Sequence, residues 1–310
     1  ATMNWDSEHI RVIILRALQE DIGTGDATVL ATIPEQAVGS ARILARQDLV
    51  CAGLPLAERV FRSLDPPMRV HLLCSDGDSA KNGQVLLHLE GSARAILTGE
   101  RVALNFLGRL GGIATMTNRF VREIAGTKAK IRDTRKTTPG LRELEKYAVK
   151  MGGGTNHRMG LYDALLLKEN HIALAGGVKA ALDRAHAYAS LRVAPQRAIT
   201  SYEAAGSVDH SITGDGLPVQ IEVRDERELR EALEAGARSV LLDNMSPEQA
   251  RACVLVAKRA DCIVEISGGI TFENVRAYAD TGADYLSSGA LTHSAPAANL
   301  SLLVDTIQET

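Results

Sequence analysis

The chain has 310 residues, 45% of them apolar and 24% charged, with a formal net charge of −3. That is enough apolar material for one large core or two modest ones without covalent staples, and the interspersed charge excludes a general binder of nucleic acids or membrane surfaces. Cys51, Cys74, Cys253 and Cys262 form no C-x-x-C pair, so neither a disulfide framework nor a structural zinc site is indicated and a reducing compartment is expected.

Residues 4–21, NWDSEHIRVIILRALQED, interleave acids, bases and apolar residues at helical spacing, unlike the uninterrupted apolar region of a signal peptide. The longest apolar stretch, around Leu49 to Ala57, is too short to span a bilayer, and the protein is read as cytoplasmic. From Ala37 to Glu90 short β-like runs (AVGSARILAR, MRVHLLC, GQVLLHLEG) broken by Gly, Pro and Asp predict a small α+β domain with a helix near Leu54 to Leu64. A long helix follows in GERVALNFLGRLGGIATMTNRFVREIAG, with Gly111-Gly112 marking either a break or a close-packing point. The boundaries are set at 1–114 for the N-terminal α+β domain and 115–290 for the domain that follows it.

After about Lys128 strands and helices alternate, the pattern of parallel βα units and of an α/β fold built as a barrel. Strands are predicted at Ala129–Asp133, Ala164–Leu167, Val219–Val223, Ser239–Leu242, Cys262–Ile266 and Asp284–Ser287. They end, in order, in Arg135-Lys136, Lys168-Glu169-Asn170, Glu222 and Arg224, Asp243-Asn244, Ser267-Gly268-Gly269, and Ser287-Ser288-Gly289. Carboxyl ends of successive parallel strands converge on one face, where an α/β barrel builds its active site, and loops after the last strands commonly bind phosphate through backbone N–H groups. Glycine there permits positive φ and close approach of the main chain.

A single Lys or Arg is ordinarily a solvated surface charge. Here Arg135, Lys136 and Lys168 come directly off apolar runs, and Arg135 and Lys136 stand among Thr134, Thr137 and Thr138. The group points to a polyanionic ligand. Glu222 and Asp243 would repel such a ligand unless a divalent cation or sugar hydroxyls lay between; Mg²⁺ or a ribose is the preferred reading over mere neutralisation of the rim. Gly152 to Gly154 join a helix, LRELEKYAVKM, to a loop presenting Asn156, His157 and Arg158, and either a flexible link or a close approach to ligand fits such a run.

The stretch DTRKTTPGLRELEKYAVKMGGGTNHRMGLYDALLLKENHI, together with EDIGTGDAT, LTGERVALNFLGRLGGIAT, IEV, LLDN, EISGGIT and SSGALTHS, resembles the quinolinate phosphoribosyltransferases over nearly the whole chain. The resemblance implies an incomplete TIM-like α/β barrel, 115–290, as the catalytic domain, an N-terminal α+β domain to which a C-terminal tail of 291–310 returns, and a homodimer or higher homo-oligomer in which Arg101 reaches a partner's site. It implies that Arg101, Arg135, His157, Arg158 and Lys168 hold the two carboxylates of quinolinate. Lys136 would contact phosphoribosyl pyrophosphate, Glu222 and Asp243 its ribose or Mg²⁺, and Ser267-Gly268-Gly269 with Ser288-Gly289 a phosphate; Thr134 and Ala290 complete the substrate-binding set. Lys136, Lys168, Glu222 and Asp243 carry the catalysis in this reading, which yields nicotinate mononucleotide, pyrophosphate and CO₂ in de novo NAD biosynthesis. Residues 191–218 are longer than the family pattern, and Gly111 and Ser288 depart from it. Three alternatives stand beside it: a Schiff-base lyase using Lys168, a non-catalytic phosphate sensor, and a relative of the same fold acting on another pyridine or aromatic acid.

Overall fold

A computed structural model describes residues 3–191 and 216–308. They divide into two compact units, one of residues 3–118, 150–153 and 295–308, the other of residues 119–149, 154–191 and 216–294. The segment 191–218, expected to form a surface excursion, lies outside the described residues from 192 to 215.

In the first unit α1 (Glu8–Ile22) starts at Ser7, whose hydroxyl accepts from the Ile10 N–H, and it buries Ile10, Ile14 and Leu18 along one stripe. Then come α2 (Ala27–Thr32), β1 (Val38–Ala45), β2 (Leu49–Val50), α3 (Leu54–Leu64), β3 (Arg69–Leu72), β4 (Ser79–Ala80), β5 (Val85–Ser92) and α4 (Ala93–Glu123). α3 covers the predicted residues, with Pro55 in its first turn where the missing N–H costs nothing. The predicted long helix, α4, is unbroken at Gly111-Gly112, because those glycines serve close approach: a Cβ on Gly112 would run into the Pro296 carbonyl.

The chain continues with β6 (Lys130–Arg132), α5 (Arg142–Met151), β7 (Leu165–Leu167), α6 (Glu169–Ala175), α7 (Val178–Leu191), β8 (Val219–Val223), α8 (Glu226–Glu234), β9 (Ser239–Asp243), α9 (Pro247–Arg259), β10 (Ile263–Ser267), α10 (Val275–Ala279), β11 (Tyr285–Ser287) and α11 (Ala290–His293). β12 (Leu300–Gln308) returns to the first unit and pairs antiparallel with β1, completing a sheet of order β12-β1-β5-β3.

Each of the six predicted strands falls on an observed one. They form a single parallel sheet of order β6-β11-β10-β9-β8-β7. The first strand, β6, lies beside the last, β11, as closure of a barrel requires; the sheet stays open between β6 and β7, where Thr155 makes a lone parallel bridge to Arg132. This is a TIM-like barrel left incomplete. β8 to β11 are mostly buried, whereas β7 is only half-buried along its length, because it is the sheet edge with one strand partner. Caps start the outer helices: Asp225 for α8, and for α9 a box in which Ser246 and Gln249 satisfy each other's backbone N–H. Among the described residues no helix is long and apolar enough to cross a membrane.

Candidate active site

All six strands are parallel, so their carboxyl ends share one rim. Side-chain alternation then sorts the barrel interior into layers. Gln220, Ser287 and Arg132 each bond to Glu265. Glu222 and Ser267 stand two residues further along β8 and β10, hence on the same inner face one layer nearer the rim. Asp243 is in register with Ser267 and joins that upper layer.

The upper layer holds much of what the sequence singled out. Lys168 leaves β7 and places its Nζ 2.7 Å from Glu222 Oε2; the lysine side chain is 50% exposed and the carboxylate 14%. Asp243 accepts from Asn244 Nδ2 at 2.8 Å. The stem of Lys136 lies over Gly289, where a Cβ would sit 2.8 Å from Lys136 Cδ, and the Lys136 carbonyl accepts from Thr292 Oγ1 at 2.7 Å. Thr134 turns its hydroxyl back to the Lys136 N–H at 3.1 Å. His293, which sequence reasoning did not select, also borders Gly289.

The last two strand-end loops are built for close approach. Gly268 has φ +93°, and a Cβ there would collide with the Asn244 carboxamide. Gly269 has φ +65° and open space where a Cβ would be. Ser288, expected beside a phosphate, is tied into the protein. Its hydroxyl donates to the Ile270 carbonyl at 2.7 Å and its N–H to the Arg132 carbonyl at 3.1 Å, so both donors are used inside the protein. Ser288 is a strut joining the β10 and β11 loops, beside Gly289 and Ala290.

Beneath the rim lies a charged layer that the sequence reading missed. Glu265, fully buried, accepts from Arg132 Nη1 at 2.9 Å, from Gln220 Nε2 at 3.0 Å and from the Ser287 hydroxyl. The Arg132 guanidinium also stacks on the Tyr285 ring at 3.4 Å. Burial alone would raise the Glu265 carboxyl; His157, Arg132 and the two hydrogen bonds outweigh it and bring it down to about 2. His157 Nδ1 accepts from the Arg158 N–H at 2.8 Å, so the ring proton sits on Nε2, which faces Gln220 Oε1 at 3.3 Å and Glu265 Oε1 at 3.5 Å. Burial lowers the His157 pKa, with the Glu265 carboxylate opposing. Both ring nitrogens of His157, expected to meet a substrate carboxylate, are engaged by the protein, and the ring helps aim the loop that carries Arg158.

A second buried cluster anchors that loop. Asp133 accepts from Lys146 Nζ and from the His157 N–H at 2.8 Å, while its other oxygen accepts from Asn156 Nδ2 at 2.6 Å. Lys146 also donates to the His157 carbonyl at 3.0 Å, and neither member of the Lys146–Asp133 pair has exposed side-chain surface. Asp163 receives the N–H groups of Met159 and Gly160. Arg142 ties Thr137 Oγ1 to the carbonyls of Arg135 and Met159, bringing the two arginine-bearing loops together.

What these supports present is a pair of guanidinium groups. Burial, then the positive charge of Arg135, pulls the Arg158 pKa down, with Asp163 opposing. Arg158 Nη1 donates to the Ala164 carbonyl at 3.0 Å, while Arg135 Nε is buried with no hydrogen-bond partner. Two neighbouring cations and an unsatisfied buried donor are the arrangement that an anionic ligand would relieve. Arg101 is exposed on α4 of the first unit.

No group of three or more His, Cys, Asp or Glu that could hold a metal occurs among the described residues. Glu222 and Asp243 still fit Mg²⁺, which commonly takes one or two carboxylates and fills its remaining positions with water and substrate phosphate oxygens.

The buried layer carries a pH signature. The folded Glu265 carboxyl, at about 2, lies below its ordinary 4.5, so its contribution is complete above pH 4.5 and is lost as pH falls toward 2. Glu265→Gln should flatten the acid limb of the stability curve over that window, measured by chemical unfolding at stepped pH. An unchanged acid limb would contradict the assignment.

Sequence profiles of the quinolinate phosphoribosyl transferase N-terminal and C-terminal domains match residues 26–111 and residues 113–200 and 194–303 respectively. A Bacillus subtilis protein named probable nicotinate-nucleotide pyrophosphorylase [carboxylating] is 41% identical over 91% of this chain and 89% of its own length. The chloroplastic nicotinate-nucleotide pyrophosphorylase [carboxylating] of rice is 37% identical over 96% and 78%. Among solved structures, the nicotinate-nucleotide pyrophosphorylase from Francisella tularensis is 36% identical and superposes with a TM-score of 0.85, covering 98% of this chain and 100% of that one. With both domain profiles in order and full-length relatives of this likeness, the chain belongs to the quinolinate phosphoribosyltransferase family.

Proposed function

We propose that this protein transfers the phosphoribosyl group of phosphoribosyl pyrophosphate to the ring nitrogen of quinolinate and releases CO₂, giving nicotinate mononucleotide and pyrophosphate for de novo NAD biosynthesis. The observation that carries this reading is the Arg135–Arg158 pair with its unsatisfied Nε, beside an Asp- and Glu-lined rim and two glycine loops.

Quinolinate's adjacent carboxylates suit the paired guanidiniums and Lys168, and Arg101 of a second copy would complete the clamp in a homodimer. The cations offset the repulsion between two anionic substrates and hold the pyridine nitrogen against the anomeric carbon. As the nitrogen lone pair forms the new bond and the C–O bond to pyrophosphate breaks, positive charge builds on the ribose, where Glu222 and Asp243 stabilise it. Lys136, lying over Gly289, and the Gly268-Gly269 loop face phosphate oxygens in this scheme. Mg²⁺, when bound, supplies charge neutralisation on the leaving diphosphate. The nitrogen is then cationic. Breaking the C–C bond to the neighbouring carboxylate releases CO₂ and leaves an electron pair on the ring carbon beside N⁺, which takes up a proton. The enzyme is read as cytoplasmic, in keeping with its four free thiols.

The Lys168–Glu222 ion pair disfavours the Schiff-base alternative, which needs a neutral amine. The phosphate-sensor alternative predicts no pyrophosphate at all. The reading is tested by supplying quinolinate or nicotinate with phosphoribosyl pyrophosphate, with and without Mg²⁺, and following pyrophosphate; a preference for quinolinate of at least about a hundredfold is expected, since the site's cations lose a partner with the monoacid.

A further inference from the structure

The first unit contains a pair of thiols that the proposed reaction does not use. Cys51 follows β2, and Cys74 lies in the turn between β3 and β4, 23 residues away in sequence; their sulfurs are 3.6 Å apart. Backbone bonds hold the two segments together on both sides: the Cys51 N–H donates to the Asp78 carbonyl at 2.9 Å, and the Gly77 N–H to the Cys51 carbonyl at 2.8 Å. Asp76, in the same turn, accepts from the Gly53 and Leu54 N–H groups at 2.8 and 3.0 Å and so fixes the start of α3 against it. The two cysteines differ in access, Cys51 being buried and Cys74 partly exposed. Cys253 and Cys262 are both buried in the other unit.

We propose that Cys51 and Cys74 form a reversible thiol–disulfide site that reacts with low-molecular-weight disulfides such as oxidised glutathione, Cys74 as the attacking thiol and Cys51 as the resolving one. The chemistry follows from the geometry. The contact between the two sulfurs lowers the Cys74 pKa against the opposing effects of its burial and of Asp78 and Asp76, and raises that of Cys51. The exposed partner is therefore the better thiolate. Cys74 S⁻ attacks one sulfur of the small disulfide, forming a mixed disulfide and expelling one thiolate. Cys51 then loses its proton to solvent and attacks the Cys74 sulfur, expelling the second thiolate. The two protein thiols are oxidised to one disulfide, and the small disulfide is reduced to two thiols. Closure to a normal bond needs the sulfurs to approach by roughly 1.5 Å.

The cross-link would join the β2–α3 junction to the β3–β4 turn. The full chain, incubated with oxidised glutathione and digested without reduction, should yield a Cys51–Cys74 linked peptide, with an intact mass lower by two hydrogens and reversal by dithiothreitol. Cys51→Ser should stop at a stable glutathione adduct on Cys74, and Cys74→Ser should give neither adduct nor cross-link. The oxidised wild type should melt higher by roughly 5–10 °C, a shift absent from both variants. A wild-type protein that keeps a glutathione adduct on Cys74 without closing, or stays fully reduced, would overturn the proposal. Peptide mapping of the wild type decides the matter alone if either variant fails to fold.

Discussion

Alanine at Lys168 or at Arg135 is expected to lower kcat/KM by about a thousandfold or more while leaving the fold in place. Lys168 is proposed to hold a quinolinate carboxylate and to fix Glu222, the carboxylate that faces the developing positive charge, and losing one preorganised group of this kind typically costs a factor of about 10²–10³. Its loss costs little stability, because a half-exposed ion pair is worth about 0–1 kcal/mol. Arg135 is the sharper test. Its Nε lacks a partner and its charge opposes Arg158, so Arg135→Ala removes an unsatisfied buried donor and a repulsion together. Melting temperature should hold or rise while pyrophosphate release disappears. Wild-type turnover in either variant would refute the anion clamp, and unfolding of Arg135→Ala would show that the arginine serves structure instead.

The largest stability effect is expected at Lys146. Lys146→Ala strands the Asp133 carboxylate without its cation in a site with no exposed surface, and breaking a buried pair from one side costs about 3–5 kcal/mol. Burial pulls the Lys146 pKa down, opposed by Asp133, so the ammonium depends on that neighbour. For a protein of this size the change corresponds to a drop in melting temperature of roughly 10 °C. Asp133 also receives the His157 N–H and the Asn156 side chain, so the loop holding Arg158 should loosen and substrate affinity fall with it. The double variant Lys146→Met with Asp133→Leu should recover part of the stability without recovering affinity, since replacing both charges spares the stranded ion but not the loop anchor. Equal losses in the single and double variants would show that charge pairing is not what matters there.

The rim was legible in the sequence because it follows a local rule. Short apolar runs become buried parallel strands, and the polar residues directly after them must lie at one face, so Lys168, Glu222, Asp243 and Ser267 could be gathered without knowing how the strands are ordered. The layer below obeys no local rule. Arg132 and Glu265 are 133 residues apart and become partners only because β6 and β10 both flank β11. A single acid inside the apolar run IVEIS, and a Gln in VQIEV, were the available signals, and both read as ordinary strand residues. Lys146 was hidden for a related reason: on an amphipathic helix a lysine reads as solvent-facing, and only the meeting of α5 with Asp133 buries it. Ser288 was equally illegible in its local bonding: backbone acceptors across the loop take both its donors, which no pattern in SSG announces.

The central claim is that one rim joins a pyridine dicarboxylate to phosphoribosyl pyrophosphate. The quinolinate and nicotinate comparison tests it most directly when pyrophosphate and CO₂ are counted in the same reaction. The account predicts one CO₂ for each pyrophosphate from quinolinate, with nicotinate mononucleotide as product, and at most a trace of pyrophosphate from nicotinate. Pyrophosphate formed at equal rates from both acids, or formed without CO₂, would contradict it.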